Sequence, residues 1–148
     1  MKIREPDFKW DEDNGLSILV IYDDKNRAFT GIAECHKDDS DMKNEKTGYE
    51  IALQRAELSL YKQHIKDLKA ERKVLQTLCS TYKAHPKFNK EDWEFKILAK
   101  KIASLSEDIA TFQGIVKQRQ YDLDAYLRMK DGFYQKVRKI REKKKAKD

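Results

Sequence analysis

Glycine and proline are scarce, at five and two in 148 residues. An all-β sandwich or barrel needs a turn signal every ~8–12 residues, and this chain cannot supply them. Cysteine is as rare. Cys35 and Cys79 make no disulfide framework, which predicts a reducing, intracellular setting. No apolar run approaches the ~18–20 residues of a membrane span, so no membrane partner is expected. Met1 to Gly15 is too charged for a signal peptide. Signatures of catalysis are missing too: there is no Gly-rich phosphate loop, no His-Glu-x-x-His and no Gly-x-Ser-x-Gly. The expectation is a protein without enzymatic activity, catalytic residues or a cofactor.

Charge and apolar residues are plentiful, each 39% of the chain. With so few turn formers, that composition favours long helices. Aromatics at 10% are too many for a disordered chain. The expected class is mostly α, an α+β protein of one domain: a β-hairpin over 16–35, then a long antiparallel two-helix coiled-coil hairpin over 47–84 and 89–143.

The hairpin expectation rests on the β-branched run from Leu16 to Tyr22, the turn-rich Asp23 to Asn26, and the returning stretch Arg27 to Cys35. The first 15 residues read as an extended arm. The first strand is apolar at both parities, so both of its faces call for cover. In the first helix the seam reads Ile51, Gln54, Leu58, Tyr61, Ile65, Leu68, Arg72, Leu75, Cys79 and Tyr82, alternating three and four. Pro86 disfavours helix at His85, and Asn89 with Asp92 offers an N-cap and an acidic first turn. The second seam runs from Phe95 through Leu98, Ile102, Leu105, Ile109, Phe112, Val116, Arg119, Leu123, Tyr126, Lys130, Phe133 and Val137 to Ile140. At ~1.5 Å per residue this helix outruns the first by ~25 Å, about one seven-residue strand. The β-hairpin is therefore expected beside residues 129–141, covering Phe133, Val137 and Ile140. Leu53, Leu60 and Val74 form a second stripe that a two-helix hairpin leaves wet, which predicts a homo-oligomer interface.

The net charge of +6 is local. From Arg128 to Asp148 there are ten Lys or Arg and three acids. Such a tail attracts anions, or serves as a solvated helix end, since cations suit a helix C-terminus. The polar interruptions of the seam carry more information. Antiparallel register brings Gln54 and Arg55 near Arg119 and Tyr126. A buried Arg needs an anion or a carboxylate beside it. Guanidinium for phosphate and ring for base are what a nucleotide requires. The candidate ligand-binding residues are Arg55, Arg119, Tyr126, Lys130 and Arg138. The structural alternative is that they snorkel, pair with Glu50 or Glu57, or set register. Arg72 needs only a salt bridge or a register role. Cys35, His36, Asp38 and Asp39 are the one dense group of possible metal ligands, but no second Cys or His stands at ligand spacing, so no metal is expected.

One stretch has a family resemblance. Gly31-Ile32-Ala33-Glu34-Cys35-His36-Lys37-Asp38-Asp39, then Met42, then Gly48-Tyr49-Glu50-Ile51-Ala52-Leu53-Gln54-Arg55-Ala56 resembles a pattern of small phage proteins, with Lys37 where the pattern has Pro. A hairpin feeding two long helices also resembles the phage anti-Thoeris nucleotide sponges. That resemblance implies a multimer in the cytoplasm of an infected bacterial host, sequestering a cyclic ADP-ribose or cyclic nucleotide signal without cleaving it. Arg55 is the one motif position it adds to the site.

Two other functions compete. One is a phage protein inhibitor of the anti-CRISPR kind, working through the helical surface and predicting a host protein as partner. The other is nucleic-acid binding through Lys136 to Lys147, which predicts a steep salt dependence. A sponge predicts a small ligand that stabilises the fold by mass action.

Overall fold

The computed structural model describes residues 4–34 and 44–147. Three strands, β1 (Asp7–Asp11), β2 (Leu16–Tyr22) and β3 (Ala28–Glu34), precede two helices, α1 (Glu45–Lys83) and α2 (Trp93–Lys147). The chain is mostly α with an N-terminal antiparallel sheet, in the order β1-β2-β3. It divides into two compact units. The first comprises Met1–Leu60 and Gln118–Asp148; the second is Tyr61–Lys117.

The first unit holds the sheet. Where an extended arm was expected, Asp7–Asp11 forms a third strand on β2, with Phe8 opposite Leu19 and Trp10 opposite Ser17. Two turns set the register. Gly15 adopts φ 61° between β1 and β2, and Asn26 takes the same left-handed value between β2 and β3. Both residue types tolerate that region. Asp23 closes the second turn. Its carboxylate accepts from the Arg27 N–H at 2.8 Å, the Lys25 N–H at 3.0 Å and the Arg27 guanidinium at 2.7 Å.

Alternation gives the sheet two faces. The inner face carries Ser17, Leu19, Ile21, Gly31 and Ala33, all buried. It packs on α1 at Ala52 and Ala56, with Phe8, Phe29, Tyr49, Ile51, Leu53 and Leu60 around it. Small residues make this contact possible. A Cβ on Gly31 would lie 1.8 Å from the Ala52 carbonyl oxygen, and one on Gly48 would lie 2.1 Å from Ser17 Oγ.

Two expectations are corrected here. The sheet does not cover Phe133, Val137 and Ile140. Phe133 and Ile140 are 56% and 57% exposed, and Val137 is half-buried. Reach alone would put the sheet at the overhang, but the small-residue row of α1 decides where it sits. Leu53 and Leu60 also have an internal neighbour, since the sheet's core leaves them half-buried. Val74, by contrast, is 61% exposed.

Asn44 caps α1, its side chain accepting from the Thr47 N–H at 3.2 Å while its carbonyl accepts from Gly48. α2 starts later than Asn89. The Asp92 carbonyl takes the first helical bond, from Lys96, so Asp92 holds the N-cap position. Asn89 Oδ1 instead accepts from Glu91 in the preceding turn. Gly114 and Gly132 interrupt nothing, and α2 is continuous.

In the second unit the helices run antiparallel along the expected seam. Every seam position from Tyr61 to Tyr82 and from Phe95 to Val116 is buried or half-buried. Phe112 lies edge-on to His64 at 4.6 Å and tilted to Tyr61 at 6.0 Å. Arg72, a seam position, donates to Ser106 Oγ at 3.3 Å. Beyond it, Tyr82, Phe88 and Phe95 cluster at the bend, with Phe88 and Phe95 edge-to-face at 5.0 Å.

Candidate functional site

All five candidate ligand-binding residues lie in the first unit. Arg119 sits on α2 and pairs through Nη1 with the Glu57 carboxylate of α1. Both side chains are partly open, at 42% and 33% exposed. One of the structural alternatives, the ion pair with Glu57, is thus present. Arg55 goes elsewhere. Its Nη1 donates to the Ile32 carbonyl of the edge strand β3 at 2.6 Å. Residues 55 and 57 are about 200° apart around a helix at ~3.6 residues per turn. The two guanidiniums therefore serve opposite sides of α1, and Arg55 does not join Arg119.

Tyr126 and Lys130 are both half-buried, and the Lys130 ammonium lies 5.5 Å from the Tyr126 ring centroid. Positions 119, 126 and 130 fall within about 40° of one another around α2. Guanidinium, ring and ammonium thus form one row, ~17 Å from end to end at 1.5 Å per residue. Leu123, buried to 2% exposure, sits in the middle and fastens the row to the core. Arg138 is half-buried and lies about 100° round the helix from that row. Gln54 is exposed.

A different group escaped notice in the sequence. The Tyr22 hydroxyl donates to Asp7 Oδ2 at 2.6 Å, and the Arg4 guanidinium stacks 3.9 Å above the Tyr22 ring. Chiefly because Asp7 accepts that hydrogen bond, the phenol is held above its ordinary pKa. Recognising the group required knowing that Asp7 is in a strand beside Tyr22.

Among the described residues no three His, Cys, Asp or Glu are grouped to hold a metal ion. Cys35, His36, Asp38 and Asp39 lie outside them. No helix of the described residues is long and apolar enough to cross a membrane. Compared with known protein families, curated proteins and solved structures, the chain finds no match in any of the three.

Proposed function

We propose that the protein is a non-enzymatic, phage-encoded sponge that binds an anionic signalling nucleotide, cyclic or of ADP-ribose type, and withholds it from a host defence. The observation that carries the reading is the row Arg119, Tyr126, Lys130 on one face of α2. A guanidinium and an ammonium either side of a tyrosine ring match a ligand with phosphates flanking a base or ribose. Phosphate would compete with Glu57 for Arg119, exchanging one charge-assisted contact for another. The motif residues give second support. Gly31, Gly48, Ala52, Arg55 and Ala56, which carry the resemblance to small phage proteins, all lie where the sheet meets α1, and that resemblance supports a phage origin. The row implies no general base, so the ligand would be released intact. The setting would be the cytoplasm of an infected bacterium, and the working form a homo-oligomer.

Titration calorimetry with cyclic ADP-ribose isomers and cyclic nucleotides tests the reading. At least one should bind, and Arg119→Ala should weaken it ten- to a hundredfold, about 1.4–2.8 kcal/mol. If none binds, the sponge is wrong.

A second reading, direct inhibition of a host protein, draws on the second unit. Val74, Leu78 and Trp93 are 61%, 50% and 73% exposed there. Exposed apolar side chains of that size suit a protein partner. A host protein retained by the wild type and lost with Trp93→Ala would favour it. Salt-sensitive capture of nucleic acid by the basic tail would favour neither.

A further inference from the structure

The outer face of the sheet and the end of α2 are complementary surfaces. Arg119 stands beside Glu57, and α1 starts at Glu45, so α2 passes the first turn of α1 at about residue 131. From there to Lys147 it runs on for roughly 16 residues, or ~24 Å. Its apolar row continues through Val137 and Ile140, flanked by Lys136, Lys139, Lys143, Lys144 and Lys145.

The outer face of the sheet has the matching size, and one end of it has the opposite sign. Leu16, Ile18 and Val20 run along its middle, half-buried by their neighbours, and Ile32 beside Ile18 is 50% exposed. Asp11 and Glu34 pair with Leu16 from either side and make that end acidic. Asp7 and Lys9 lie further along β1, Asp7 already engaged by Arg4 at 3.6 Å. A seven-residue strand spans ~23 Å, and three strands at ~4.8 Å spacing are about as wide as one helix. The charge division extends to the chain as a whole. Residues 1–50 hold thirteen acids and eight bases, whereas 128–148 hold ten bases and three acids.

A chain cannot join these surfaces within itself. Its α1 covers the inner face, and its α2 lies along α1, so the outer face looks away from both. We infer that the end of α2 lies across the outer sheet face of a second copy, with Ile140 and Val137 on Leu16, Ile18 and Ile32, and the lysines after Ile140 at Asp11 and Glu34. A two-fold axis lets each copy give one helix end and accept one. Both apolar surfaces are then covered, and the exchange needs no nucleotide.

Charge reversal tests the exchange, with light scattering as readout and circular dichroism to confirm folding. Wild type should exceed the 17.5 kDa monomer mass at tens of micromolar, and molar salt should shift it toward monomer. One variant carries Lys139→Glu, Lys143→Glu and Lys144→Glu; the other carries Asp11→Lys and Glu34→Lys. Each alone should associate at least about tenfold more weakly. Mixed one to one they should recover a dimer, because each tail then faces an oppositely charged sheet. Ile140→Asp should give a folded monomer. A monomeric wild type overturns the inference. So does a mixture that fails to recover, or association that survives Ile140→Asp and disappears with Val74→Asp. Binding of the tail to anionic vesicles in place of self-association would overturn it in favour of a lipid surface.

Discussion

Gly31 of β3 and Ala52 of α1 approach so closely that a methyl group on Gly31 would fall 1.8 Å from the Ala52 carbonyl oxygen. The next atoms it would meet are the Ala56 nitrogen at 2.7 Å and the Ala52 carbonyl carbon at 2.8 Å. All three belong to the backbone of α1, so no side-chain rotation relieves the clash. Strand and helix are in main-chain contact, and the sheet is docked by the absence of side chains.

Gly31→Ala should therefore lift β3 off α1. Overpacking typically costs ~1–3 kcal/mol, and a clash with backbone belongs at the top of that range. The thermal midpoint should fall by several degrees, with hydrogen exchange accelerated in β3 and in α1 near Ala52. An unchanged midpoint would mean that the contact is looser than described.

Ser17 is fully buried, and its hydroxyl has no hydrogen-bond partner among the described residues. Ser17→Ala should stabilise the protein by about 1 kcal/mol, since an unsatisfied buried hydroxyl costs ~1–3 kcal/mol. Its neighbour Gly48 gives a second handle. Gly48→Ala alone gains helix propensity of ~1 kcal/mol but meets Ser17 Oγ at 2.1 Å. The two substitutions together should be more stable than the sum of their separate effects. Strict additivity in urea melts would count against the contact.

The Arg119–Glu57 pair is open to solvent on both sides, so its direct worth is small. A double-mutant cycle with Arg119→Ala and Glu57→Ala should give a coupling of about 0.5–1 kcal/mol at low salt, shrinking in molar salt. Glu57→Gln should leave stability nearly unchanged while removing one carboxylate that competes with an anion for Arg119. If the sponge reading holds, that variant binds the nucleotide more tightly than wild type.

Acid should loosen the β2–β3 turn. Burial alone would push the Asp23 carboxyl up. The Arg27 N–H and guanidinium, aided by the Lys25 N–H, outweigh it and hold the group below its ordinary 3.8. A depressed folded pKa means the stabilisation is complete above the unfolded value and fades as pH falls from about 3.8 through the lower folded value. Asp23→Asn should remove that part of the acid dependence. The comparison is of urea midpoints for the two proteins between pH 5 and roughly pH 2. Parallel curves would exclude Asp23 as a contributor.

Three-four spacing made the helical hairpin legible, because large apolar residues at those intervals fall on one face only when the chain is helical. β1 was hidden by charge: Asp7, Lys9 and Asp11 make DFKWD look like solvent-exposed chain. Yet Phe8 and Trp10 alternate with them, which is how an edge strand with one wet face reads. The sheet's location was legible too, in residues that carry no bulk. Gly31, Gly48, Ala52 and Ala56 mark where two backbones meet, and a search for large apolar partners passes over them. Arg119's partner lay among the carboxylates at the right register. Arg55's did not, because its acceptor is a main-chain carbonyl and every residue has one.

The contact at Gly31 also sets the direction in which this protein tolerates change. An ordinary core position suffers when volume is removed, but positions 31, 52 and 56 are already at or near the minimum size and have almost none to lose. In a saturation library they should reject additions in proportion to size, while the exposed backs of α1 and α2 accept nearly all residues except proline. Random drift in this sequence would thus scramble its charged helix surfaces long before it altered the few small letters by which sheet and helix recognise each other.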